Sequence, residues 1–364
     1  LGTNQHSMEE EESKRRICEF FEALHALYGE KSVLVILPAY CGNPNIENKP
    51  EKYKRIKRLI LEAAGQYPNI KAVSAYEMIP HLADYYMEDM ILRIITEGFW
   101  DENPRPKYAD GTPAYTISVN HTFRQYDLSK GEFPICTLRP MAWKTGIREI
   151  FTIYQKPTNE IAKMEEMGVN WWGDWDIGDG TIGQRYGATV SRYDLINQLI
   201  KDIETDPYGR RKIVSLWQET DLHETPGLAP CAFLTIWNVR GEYLDMVLVQ
   251  RSGDMLTASG PGGINEIQYA ALLMMIARHT GYKPGVFSHF VANEQIYDRH
   301  FEAAEEMLSR QIIIERDEYF DVSKKNPMLI INPEKTNFYD MTIDDFTMED
   351  YKPLKPQLKL ELGI

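Results

Sequence analysis

The chain has 364 residues, with 54 acidic side chains against 40 lysines and arginines, a formal charge of −14. That balance excludes a binder of duplex nucleic acid, which neutralises phosphates with surplus cations. With 43% hydrophobic residues the chain can bury a substantial core, and at roughly 150 residues per domain there is room for one large domain and an extension. No apolar run reaches the ~18 residues of a membrane span, and no signal peptide is evident. Four scattered cysteines (Cys18, Cys41, Cys136, Cys231) lack paired zinc spacing, so no metal is expected and a reducing, cytoplasmic setting is. The first seven residues read as a remnant ahead of a native start at Met8.

In chain order, Ile17, Phe20, Phe21, Leu24, Leu27 and Tyr28 recur at helical spacing within 9–30. Residues 32–40 read as a buried strand, 41–50 as a loop, 51–66 as a basic amphipathic helix and 70–75 as a short strand. This alternation predicts an N-terminal α/β module over 8–85, either a structural decoration or a partner-binding unit. A helix over 80–98, with Pro80 tolerated in its first turn, opens the remainder. A strand follows at 116–123, a turn at 128–133, and a helix at 142–154 with Trp143, Ile147, Ile150 and Phe151 as its core stripe. An amphipathic helix at 193–205 leads into Asp206-Pro207-Tyr208-Gly209-Arg210-Arg211, a turn carrying two arginines into an apolar strand. Residues 264–270 open a helix after a Gly/Pro-rich loop, 272–280 read as a buried helix, and the tail from 346 as polar and Pro-containing.

Cys231, in Ala229-Pro230-Cys231-Ala232, is the candidate nucleophile. A thiol acts as thiolate, so it needs positive charge or aimed donors nearby. Gln250-Arg251-Ser252-Gly253-Asp254 supplies a guanidinium fork and a hydroxyl, both suited to phosphate. Strands at 233–239 and 243–249, turning through Asn238-Val239-Arg240-Gly241, would form a hairpin that brings thiol and guanidinium together. Read by themselves, these residues fit a buried structural cysteine beside an exposed arginine equally well. Gly178-Asp179-Gly180-Thr181-Ile182-Gly183 fits a dinucleotide-binding glycine pattern, but it follows a Trp/Asp-rich stretch rather than a strand and carries no such site.

Together with Ile264-Asn265-Glu266-Ile267-Gln268 and Gln295-Ile296-Tyr297-Asp298-Arg299-His300, the motifs over 90–364 resemble the thymidylate synthase family, including its pyrimidine nucleotide hydroxymethylase branch. The resemblance implies a catalytic domain over 86–364 in an α/β (α+β) fold, whose large mixed sheet packs against helices and serves as a dimer interface. It implies a cytoplasmic one-carbon transferase acting on deoxyuridylate (dUMP) with 5,10-methylenetetrahydrofolate as cosubstrate. Cys231 would add to the pyrimidine ring and make its position 5 nucleophilic, with Arg251 favouring the thiolate. Glu149 would order water and move protons, and Tyr186 would remove the proton from position 5. Arg251 and Ser252 would hold the phosphate, joined by Arg210 and Arg211 donated across a homodimer interface and by Arg105 from an N-terminal loop. Asn265 would read the base, Tyr297 and Gln295 the sugar. Trp172, Trp175, Asp254 and the C-terminal Ile364 would form the folate side.

Three positions depart from the family: Ala232 where a histidine is usual, Ile236 or Thr235 where a base-contacting glutamine is usual, and Asn293-Glu294-Gln295 in the closing motif. The segment between Asp254 and Asn265 is also longer. Ala232 points toward hydroxymethylation, in which water quenches the shared intermediate; the apolar C-terminus points toward reductive methylation of dUMP to dTMP, which is the reaction expected. A non-catalytic nucleotide-binding homologue is the third reading.

Overall fold

The computed structural model describes residues 10–37, 58–74, 82–318 and 326–363. The loop expected at 41–50, the start of the helix expected from Glu51, the Pro80 start of the next helix, and Ile364 lie outside them. The chain divides into two compact units, 1–80 with 319–323, and 81–318 with 324–364.

In the first unit, α1 (Glu10–Tyr28) begins with three glutamates, where carboxylates favour the positive end of a helix dipole. β1 (Val33–Leu37) pairs in parallel with β2 (Ile70–Ser74). Parallel strands need a crossover, and residues 58–64 are helical between them. Ile17 and Phe21 of α1 pack with Leu59, Ile60 and Ile70 in a small core of this unit's own.

The second unit is built on a seven-stranded mixed sheet. Its strands are β3 (Phe99–Trp100), β4 (Thr116–Asp127), β5 (Ile213–Ser215), β6 (Ala232–Arg240), β7 (Tyr243–Gln250), β8 (Gly253–Asp254) and β9 (Lys283–Tyr297). The order is β3–β4–β9–β7–β6–β5, with β8 beside β9. The long β9 runs antiparallel to β4 but parallel to β7 and β8. Its helices begin with α2 (Leu82–Glu97) and α3 (Trp143–Ile150). Four more follow: α4 (Ile161–Glu166), α5 (Gly187–Arg192), α6 (Leu195–Thr205) and α7 (Glu219–Glu224). The last two are α8 (Ile264–Thr280) and α9 (Phe301–Glu318), and α8 packs on β9, β7 and α3.

The hairpin β6–β7 forms as anticipated, but it turns at Gly241-Glu242, two residues later than expected, since Arg240 still pairs with Tyr243. Gly241 has φ 62, a left-handed conformation that a two-residue hairpin loop demands and glycine supplies cheaply. At the other end, the β6–β7 register shifts between Ala232 and Leu234, so a bulge lies immediately after Cys231. Bulges re-aim side chains beside functional sites.

One face of the sheet is the core, with Leu244, Met246 and Leu248 fully buried. On the opposite face, cross-strand pairing lines up Phe123, Phe290, Val249 and Leu234 in one row, and Val247, Ile236 and Ile213 in the next. Phe123 is 55% exposed and Ile213 53%.

Four expectations need correction. β4 runs four residues beyond Phe123, because Arg124 and Tyr126 continue the inward alternation as polar groups that hydrophobicity alone does not score. The two helical pieces expected at 264–270 and 272–280 are one helix, α8, buried almost all round with Glu266 and Gln268 among its inward residues. The helix expected at 142–154 stops as α-helix at Ile150 and widens into a π-turn over Phe151–Gln155. The tail holds a strand, β11 (Phe346–Glu349), which pairs with β10 (Met328–Ile331) and inserts Phe346 into the core.

Candidate active site

The hairpin places Ala232 opposite Gln250, and one step outward the backbone N–H of Arg251 donates to Cys231 O at 2.9 Å. The guanidinium is fixed on this strand end: Nε donates to Pro230 O at 3.0 Å, and Nη2 to Ala229 O at 2.8 Å and to Cys231 Sγ at 3.4 Å. Burial, the larger influence, pushes the Cys231 thiol up, and Arg251 pulls it back down. In the single chain Arg251 therefore only partly offsets the desolvation of the thiolate, a weaker activation than the sequence suggested.

Tyr186 lies against this thiol. It is 8% exposed, and burial first, then the charges of Cys231 and Glu149, drive its hydroxyl well above the ordinary range. Its backbone has φ 49, which an aromatic residue rarely adopts and which marks stored strain. The reason is visible one residue later. A Cβ on Gly187 would meet Thr158 O at 2.4 Å, Thr158 N at 2.5 Å and Thr152 O at 2.6 Å, so the chain enters α5 through a gap only glycine fits. The Trp172 ring packs edge-on against Tyr186 at 4.9 Å and against Trp175 at 5.5 Å.

Glu149, near the end of α3, is 7% exposed and accepts three side-chain donors. Trp171 Nε1 lies 2.9 Å from Oε1, Trp172 Nε1 bonds the same oxygen, and Gln268 Nε2 bonds Oε2. Burial raises its carboxyl above the usual range while the three donors oppose that rise. Two tryptophans therefore do work that the sequence does not assign: Trp171 has no role there, and Trp172 only one on the folate side.

Asn265, in the first turn of α8, is held at both ends. Its Oδ1 accepts from Gln250 Nε2 at 3.2 Å and its Nδ2 donates to Gln268 Oε1 at 3.1 Å. Gln250 and Gln268, both missed, join Asn265 to Glu149 in one continuous relay. Tyr297 and Gln295 belong to a strand themselves. They are the last residues of β9, two apart and on one side of it, with Gln295 Nε2 reaching Tyr297 Oη at 3.5 Å. Burial first, then Asp254 and Cys231, push Tyr297 up to about 12, and Arg105 is close enough to pull it the other way. Of the two replacement positions, Thr235 is buried and accepts from Trp237 Nε1 at 2.8 Å, while Ile236 lies in the apolar row on the sheet's open face.

Asp254 begins the π-turn Met255–Ser259 and accepts from Thr257 N at 3.3 Å. Its side chain is 14% exposed, and His300 Nδ1, buried without a hydrogen bond, lies 3.6 Å away. The tail ends beside it: His300 Nε2 contacts Glu361 O at 2.7 Å, Arg299 Nη1 binds Glu361 Oε2 at 2.6 Å, and Gly363 packs against the Tyr297 ring. Arg210 and Arg211 are exposed and have no partner among the described residues. Their turn is pinned from below by Lys212, which is 2% exposed and donates to Pro207 O at 3.0 Å and Gly209 O at 2.6 Å. Ser252 is half-buried next to Arg251.

A thiol beside a fixed guanidinium, a desolvated acid and tyrosine, and an amide clamped at both ends are the parts that nucleophilic catalysis needs. The thymidylate synthase family profile matches residues 85–364. Thymidylate synthase of Lactococcus lactis subsp. cremoris is 48% identical over 289 residues, 78% of this chain and 99% of that protein. Thymidylate synthase of Streptococcus pneumoniae matches to the same extent. The solved thermostable thymidylate synthase A from Bacillus subtilis superposes with a TM-score of 0.68 at 33% identity, covering 78% of this chain and 99% of that one. The chain belongs to the thymidylate synthase family and has its fold, and it is a one-carbon transferase of the synthase branch.

Proposed function

We propose that residues 86–364 are the catalytic domain, with 8–85 an added module, and that the domain reductively methylates dUMP through a covalent Cys231 adduct. The observation that carries this reading is the 3.4 Å contact between Arg251 Nη2 and Cys231 Sγ, beside a desolvated Glu149 and Tyr186. The Cys231 thiolate attacks position 6 of the ring. Arg251, Ser252 and Arg105 hold the phosphate, with Arg210 and Arg211 of a second subunit completing the cradle. The apolar rows on the open sheet face, with Phe123 and Ile213 more than half exposed, support a homodimer through that face.

Asn265 accepts from the ring N–H and donates to the neighbouring carbonyl, while Tyr297 and Gln295 take the sugar. Glu149 orders water and relays a proton at the ring oxygen, and Tyr186 takes the proton from position 5. 5,10-Methylenetetrahydrofolate, the family's cosubstrate, supplies the one-carbon unit and the hydride. The chain fits a flat, polar-edged ligand there. Asp254 and the unpartnered Nδ1 of His300 offer an acceptor and a buried polar atom, and Trp172 and Trp175 offer ring faces and edges. The tail, which lays Gly363 against the Tyr297 ring, favours a dry site in which hydride outcompetes water.

The test is to incubate the chain with 5-fluorodeoxyuridylate and methylenetetrahydrofolate, since fluorine cannot leave as a proton. The expected ternary adduct should vanish in Cys231→Ala. With dUMP, thymidylate and dihydrofolate should form together. Hydroxymethyl product without dihydrofolate would overturn the reading in favour of the water-quenched reaction.

A further inference from the structure

Behind the base-reading amide lies a buried polar cluster that the reaction itself does not use. Arg124 of β4, 2% exposed, donates Nε to Glu266 Oε1 at 2.7 Å and Nη1 to Glu294 Oε2 at 2.7 Å. Glu266 also accepts from Tyr126 Oη and from Gly262 N, each at 2.7 Å. His289 of β9 is fully buried against this cluster, its Nδ1 3.1 Å from Arg124 Nη2 and 2.9 Å from Glu266 Oε1. Its other nitrogen, Nε2, lies 3.1 Å from Gln250 Oε1. Gln250 is the residue whose amide grips Asn265.

The direction of every bond in this relay is fixed by one main-chain atom. Gln250 Nε2 donates to Ser252 O at 3.0 Å, and a carbonyl oxygen can only accept. The same amide nitrogen faces Asn265, which must therefore turn its oxygen toward Gln250. Gln250 Oε1 must then accept from His289 Nε2, which requires a proton there. The neutral ring carrying that proton accepts at Nδ1 from Arg124 Nη2, and the cationic ring donates at Nδ1 to Glu266 Oε1; Gln250 receives a donor in either form.

We propose that His289, held by Arg124 and Glu266, is a specificity-determining positioning residue: its Nε2–H locks Gln250, and Gln250 locks the Asn265 amide in the orientation that reads uracil. This rests on the assignment of Asn265 to the base. Two groups anchor Gln250 from opposite ends, Ser252 O and His289, so rotating the relay toward the cytosine pattern breaks both bonds. Asn265 retains one lone pair for the ring N–H and one N–H for the ring carbonyl, because Gln250 and Gln268 each use only one. Glu266 follows Asn265 directly in α8, so the cluster also fixes the backbone from which the amide projects.

The test compares His289→Asn, too short to reach Gln250, with His289→Gln, whose Nε2 can replace the ring donor. The preference for dUMP over dCMP in kcat/KM should fall by about tenfold or more in His289→Asn, chiefly through KM. It should return to within about threefold of wild type in His289→Gln. General loosening would weaken both nucleotides alike and leave their ratio unmoved. In an Asn265→Ala background the substitution should have no further effect on that ratio. A folded His289→Asn with the wild-type ratio would overturn the proposal. If that variant does not fold, ring nitrogen chemical shifts of the wild type decide, and a proton on Nδ1 alone overturns it. Should the wild type turn over neither nucleotide, the assigned reaction fails. Calorimetric binding of dUMP and dCMP then replaces kcat/KM, and an equal preference in wild type and His289→Asn overturns the proposal.

Discussion

Gln268→Leu is the most informative single substitution, because Gln268 bonds two functional groups with one side chain. Its Nε2 donates to Glu149 Oε2 and its Oε1 accepts from Asn265 Nδ2 at 3.1 Å. Leucine has a similar volume, so the change removes hydrogen bonds rather than packing. Loss of a bond to a charged, buried acceptor costs about 1.5–3 kcal/mol. If the ionised carboxylate is the active form, kcat should fall by about tenfold to a hundredfold. Burial is already the dominant influence raising Glu149, and Gln268 is one of the three donors opposing it, so the carboxyl should move further up. The acid limb of the kcat profile should shift to higher pH in step. Stability gives a second reading. An acid whose folded pKa lies above its unfolded one contributes stability below the unfolded value and loses it as pH rises through the folded value. Gln268→Leu widens that window, so its melting temperature should lag wild type more on the alkaline side than on the acid side. An unshifted acid limb with a pH-independent stability gap would refute this account of Glu149.

Two further outcomes follow from the same geometry. Alkylation of Cys231 by iodoacetamide should rise with an inflection above the ordinary thiol value of about 8.5, and Arg251→Ala should move it higher still; a downward shift would show that Arg251 does not stabilise the thiolate. Mixing Cys231→Ala with Arg211→Ala subunits, each inactive alone, should recover about a quarter of wild-type activity, because random pairing gives hybrids with one intact site of two; no recovery after confirmed subunit exchange would exclude the shared cradle.

What the sequence made legible was the arrangement governed by adjacency. Cys231 and Arg251 sit on neighbouring strands joined by a tight turn, so hairpin pairing alone predicts their meeting, and the structure needed only to move the turn to Gly241-Glu242. Pattern reading failed where polar residues point inward. Arg124, Tyr126, Glu266 and Gln268 lie at buried positions of β4 and α8, and each interrupts an apolar periodicity that the fold nevertheless continues. Burying them is tolerable only because they satisfy one another across elements far apart in sequence, such as Arg124 with Glu266 and Glu294.

That cost also explains where the failures cluster. Removing one partner from a buried ion pair destabilises by about 3–5 kcal/mol, so such groups are a liability unless they fix something. Here the buried polar chain runs from Arg124 through His289, Gln250, Asn265 and Gln268 to Glu149 and the indoles of Trp171 and Trp172. An apolar core of the same volume would hold the sheet and α8 together as well or better, but it could not give an amide one orientation or hold a carboxylate at one point. The residues least legible from periodicity are therefore those that set the geometry of the Asn265 amide and the Glu149 acid, and they are unreadable for a physical reason. Their partners are chosen by the fold, one contact at a time, rather than by spacing along the chain.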